Sequence, residues 1–97
     1  MITRYKRLGE LIDLEHAIST LRDAVDLTPH GHPYRPGHLG SLGKSLIARF
    51  SRLGELSDLG AALSMLRYAV DLTPHGHPDW PGHLNNLGNS LITRFER

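Results

Sequence analysis

Leu27-Thr28-Pro29-His30-Gly31-His32-Pro33 and Leu72-Thr73-Pro74-His75-Gly76-His77-Pro78 are the same seven residues, met twice in one chain of 97. A second pair, Arg7-Leu8-Gly9-Glu10-Leu11 and Arg52-Leu53-Gly54-Glu55-Leu56, recurs at the same spacing of about 45 residues, which falls in the range of helical repeat proteins. Laying residues 1–52 over residues 46–97 gives roughly 35 identities, so the units are near copies, by recent duplication or consensus design.

Outward from the repeated loop, the chain reads as helices. From Asp58, a candidate N-cap, the apolar residues Leu59, Ala62, Leu63, Leu66, Ala69 and Val70 fall three or four apart, the spacing of one helix face. Thr73-Pro74 stops that helix, because proline disfavours helical geometry in the residue before it and has no N–H to donate to the previous turn. After the loop, Leu84, Leu87, Leu91 and Phe95 mark a second amphipathic helix with Pro81 in its first turn. The same pattern one unit earlier predicts helices over about 13–27 and 37–53, besides 58–72 and 81–97, with residues 1–8 as the tail of a further, partial helix. The expected fold is all-α, a single array of helical hairpins over residues 1–97. The joint from Arg52 to Asp58 contains no proline. Gly54 suits a left-handed helix end there, although a continuous helix is permitted at moderate cost.

Leu39, Leu42-Gly43 and Leu46, followed by Ala62, Ala69 and Pro74, run in the order that resembles a tetratricopeptide repeat, and Leu84-Asn85-Asn86-Leu87-Gly88 is similar to the kinesin-light-chain type of that repeat. The resemblance covers essentially the whole chain. It implies an α-α superhelix whose first helix in each pair lines a concave, peptide-binding face. The period departs from the family's usual 34 or so by about eleven residues, which predicts longer helices and a larger loop. HEAT and armadillo repeats match the period better but lack the Leu-Gly, Ala, Ala, Pro order.

Composition narrows the function. Eleven Lys and Arg against 10 Asp and Glu leave a net charge of +1 with the signs interspersed, not the clustered basic footprint that nucleic acid requires. The absence of cysteine removes disulfides, thiolate metal sites and a thiol nucleophile, and fits a cytoplasmic setting. No apolar run approaches bilayer length, so no membrane partner is expected. Neither a nucleophile beside a base nor paired carboxylates can be assembled, so the chain reads as a non-enzyme that needs no cofactor.

Six of the seven histidines, His30, His32, His38, His75, His77 and His83, gather in and just after the two loops. A His-x-His pair with a third imidazole can hold a transition metal, but the copies disagree where Tyr34 replaces Asp79, and histidines bonded to backbone groups are the plainer expectation. Gly43 and Gly88, inside helices, are expected to mark close approach of a neighbouring helix. The candidate peptide-binding residues are those at non-core positions of the first helices: Lys44 and Arg49 in one unit, Asn85, Asn86, Asn89, Thr93 and Arg94 in the next. Asparagine both donates and accepts, which suits an extended peptide backbone, and arginine offers a fork to carboxylates. Tyr34 and Trp80 are expected to cover the helix ends. The pattern reads as an excerpt of a longer array whose uncapped end faces associate with further copies, by end-to-end stacking or helix swapping. The alternative is a metal-binding structural module built on the His-rich loops, or a purely architectural spacer.

Overall fold

Among the described residues of the computed structural model, four helices stand in a row, each packed on the one before it: α1 Ile2–Leu27, α2 Arg35–Leu53, α3 Leu56–Leu72 and α4 Trp80–Phe95. The structure describes residues 2–96, with side chains from residue 8 onward. Among these residues α1 touches neither α3 nor α4, so the row stays open and does not close into a bundle. The radius of gyration, 14.2 Å, exceeds the roughly 12–13 Å of a round domain of this length, as an open stack requires. The fold is therefore all-α, an arrangement of helical hairpins. No helix among the described residues is long and apolar enough to cross a membrane.

The apolar stripes read from the sequence form the core. Leu39, Leu42 and Leu46 of α2 meet Ala62 and Ala69 of α3 on one side and Ile18 and Val25 of α1 on the other. A second cluster, Phe50, Leu59 and Leu63, is extended by the half-buried Leu87 and Leu91 of α4. Each fully buried leucine, such as Leu46, contributes about 2 kcal/mol of transfer free energy. Small residues let the two middle helices approach closely. A methyl group at Gly43 would lie 2.8 Å from the Leu66 side chain and 3.3 Å from the Ala62 carbonyl, so the glycine there is a packing requirement.

The punctuation holds where proline enforces it. α3 ends at Leu72 with Thr73 extended, and Pro36 and Pro81 sit in the first turns of α2 and α4. Both loops form the same pair of overlapping turns, His32 to Pro29 and Arg35 to His32 in one, His77 to Pro74 and Trp80 to His77 in the other.

Three expectations are corrected. The break between residues 8 and 13 is absent: α1 runs through Gly9 without interruption, and no proline stands there to stop it. The described part of that tail belongs to α1; Met1 and Arg97, the outer ends of the expected helices, lie outside the described residues. Asp58 is not an N-cap. α3 starts two residues earlier, at Leu56, with no side-chain cap, and Asp58 is buried in an ion pair. Gly88 has nothing within 4 Å of where a methyl group would project, unlike Gly43.

Candidate peptide-binding face

α2 and α4 are in contact, and the strip between them holds the open hollows in which the expected binding residues can be judged. Small residues come first. Gly40 is buried beneath His83, whose ring would lie 3.1 Å from any methyl group added there. With Ser41 beside it, Gly40 floors an open cleft of about 350 Å³ that also takes in Lys44, Asp79 and Asn86. A neighbouring hollow of about 200 Å³ continues it over Ile47 and Leu66 to Asn89, again with Lys44 and Asn86 on its walls. Lys44, Asn86 and Asn89 are thus brought together along one strip with an apolar base. It offers one ammonium, two amides that both donate and accept, and the Asp79 carboxylate at one end.

The other expected residues stand apart from it. Asn85 and Arg94 are exposed and line neither hollow. The Thr93 hydroxyl donates back to the Asn89 carbonyl, 3.0 Å away on its own helix. Arg49 is withdrawn as a peptide ligand. Its Nε and Nη2 donate to the two carboxylate oxygens of Asp58 at 2.9 and 2.8 Å, and its Nη1 donates to Glu15 at 2.9 Å. The hydrogen bonds to Asp58 first, then to Glu15, hold the guanidinium above its ordinary pKa. Arg49 therefore ties α2 to both α1 and α3, and Arg52 adds a more exposed bond to Glu10 at 2.8 Å.

The histidines divide by role. Nδ1 of His32 accepts from the Tyr34 N–H at 3.1 Å, and Nδ1 of His77 accepts from the Asp79 N–H at 3.0 Å, one bond repeated in both loops. His30 and His75 are exposed, and the His75 ring stacks at 4.6 Å on Trp80. His38 is half-buried and His83 buried. Among the described residues, no three or more of His, Cys, Asp and Glu converge as metal ligands would.

Three residues that matter here escaped the reading of the sequence. Asp79 was weighed only as a metal ligand, and His83 only as a metal ligand or a histidine bonded to backbone. Arg35, which stands where the second unit has Trp80, was not singled out, yet its guanidinium donates to the carbonyls of Val25 and Thr28 at 2.8 and 2.6 Å, closing the end of α1. Trp80 has no such reach, and its buried Nε1 finds no partner among the described residues. Compared with known proteins, the chain matches no family model, no curated protein and no solved structure.

Proposed function

We propose that the chain is a non-catalytic, cytoplasmic protein-binding module of tetratricopeptide-like type, which takes an extended peptide along the α2–α4 strip and joins further copies of itself through its open end faces. The observation that carries the first part is that Lys44 and Asn86 line two adjoining open hollows, one floored by Gly40 and Ser41 and the other running over Ile47 and Leu66 to Asn89. Amides at that spacing can bond a peptide backbone whatever its side chains, and the ammonium selects for a carboxylate on the peptide.

The test is a panel of extended peptides, with and without acidic residues, titrated against the chain and followed by fluorescence anisotropy. An acidic member should bind, and Asn86→Ala with Asn89→Ala should weaken it about ten-fold, the worth of one or two lost hydrogen bonds. Binding that survives both changes, or no binding at all, rejects the cleft and leaves the spacer role.

A further inference from the structure

The unit repeats, but its contacts do not. In α2, Leu39, Leu42, Leu46 and Phe50 are all at most 4% exposed against their neighbours. Their counterparts in α4, Leu84, Leu87, Leu91 and Phe95, stand open, with Leu84 39% and Phe95 89% exposed and the other two half-buried. Gly43 is pressed against Leu66, while its counterpart Gly88 faces nothing within 4 Å. A notch kept free of side chains, beside a row of leucines and a phenylalanine, is the imprint of a helix absent from the described residues.

The missing helix is specified by what fills the same imprint on α2. α3 presents Ala62, Leu66 and Ala69 to it, each at most 1% exposed. α1 carries the same pattern forty-five positions earlier, as Ala17, Leu21 and Ala24, and there all three are only half-buried. Charge agrees. Asp58 of α3 grips Arg49 of α2; their counterparts, Asp13 of α1 and Arg94 of α4, are exposed, and neither forms an ion pair among the described residues.

The straight course of α1 keeps its seat open. Residues 46–53 lie in α2 beside α3, but residues 2–8 continue the axis of α1. Along that continuous helix the backbones of Arg4 and Asp13 are about 13 Å apart, at 1.5 Å of rise per residue. The bend that brings Arg49 to Asp58 is missing there.

We propose that α4 of one copy docks on α1 of a second copy as α2 docks on α3, with Leu21 of the second copy entering the notch at Gly88 and Asp13 pairing with Arg94. The inference rests on the self-association named above, and gives it faces and a register. Because the two faces differ, the contact is heterologous, and copies add head to tail without closing at two.

Gly88 lies outside the peptide cleft and is open within its own chain, so Gly88→Leu fills the notch without disturbing the fold. Sedimentation of the full chain from micromolar to millimolar concentration should show mass growing beyond the dimer. Gly88→Leu should weaken association about ten-fold or more, with the thermal midpoint unchanged or raised, since leucine favours helix over glycine. Arg94→Asp and Asp13→Arg should each be monomeric alone, by like-charge repulsion, and associate when mixed. A wild-type chain that stays monomeric, a closed dimer indifferent to Gly88→Leu as helix swapping would give, or charge variants that fail to rescue each other would each overturn the proposal. Peptide binding measured on Gly88→Leu reports separately on the cleft.

Discussion

Arg7-Leu8-Gly9-Glu10-Leu11 and Arg52-Leu53-Gly54-Glu55-Leu56 share one sequence and adopt different backbones. In the first, Gly9 is one more residue of a 26-residue helix. In the second, Gly54 takes φ 72° and ψ 15°, its N–H closes on the Phe50 carbonyl, and the chain turns back into α3. Propensity within the five residues is equal in the two, but the residues beside them differ, Lys6 and Ile12 against Ser51 and Ser57, and so does what the turn brings together. At Gly54 it pairs α2 with α3, burying Leu42, Leu46, Leu66 and Ala69 and placing Asp58 on Arg49. At Gly9 the helical hydrogen bonds run on unbroken. The pentapeptide is a permissive joint that its flanking helices set.

The largest way to break this comparison is to remove the fastening across the bend. Arg49→Ala leaves Asp58, only 7% exposed, as a buried carboxylate without its bidentate partner, and should cost about 3 kcal/mol in urea unfolding. A loss near zero would mean that apolar packing alone sets the turn. Next comes the joint itself. Gly54→Ala puts a side chain into the left-handed region with no clash around it, a strain of about 1–2 kcal/mol, and relieves it on straightening. The hairpin should be destabilised by that amount, with swapped dimers rising in size-exclusion profiles at high concentration. The smallest effect has the most informative sign. At Gly9, a helical position with open space around it, alanine should stabilise the chain by about 0.5–1 kcal/mol in thermal unfolding, whereas a left-handed turn there would make the same change destabilising.

How much of this was legible follows from where the determinants lie. Wherever proline acts, at Thr73-Pro74 and at Pro36 and Pro81, the helix limits were readable within a residue or two, because a missing N–H and a fixed φ are local facts. The tight fit of Gly43 was readable for a related reason, since glycine inside a helix needs an offsetting neighbour. Whether α1 breaks at Gly9 was not, as both backbones are open to the same five residues. The role of Arg49 was hidden because it depends on Asp58, nine residues away across a turn, and on Glu15 from another helix. The spacing offered a usable signal, since Arg4 and Asp13 repeat it one unit earlier. Of the candidate cleft, Lys44, Asn86 and Asn89 were found by helical phase, while Asn85, Thr93 and Arg94 were included because phase alone cannot say where one helix's neighbour stops.

The Arg35 guanidinium on the Val25 and Thr28 carbonyls has a counterpart only in shape at Trp80. Two charge-assisted bonds fasten the first loop to the end of α1; in the second, the indole stacks on His75 of its own loop and its N–H reaches no helix-end carbonyl among the described residues. Units that are almost identical in sequence thus secure their loops by different means, one by hydrogen bonds to helix-end carbonyls and the other by stacked rings.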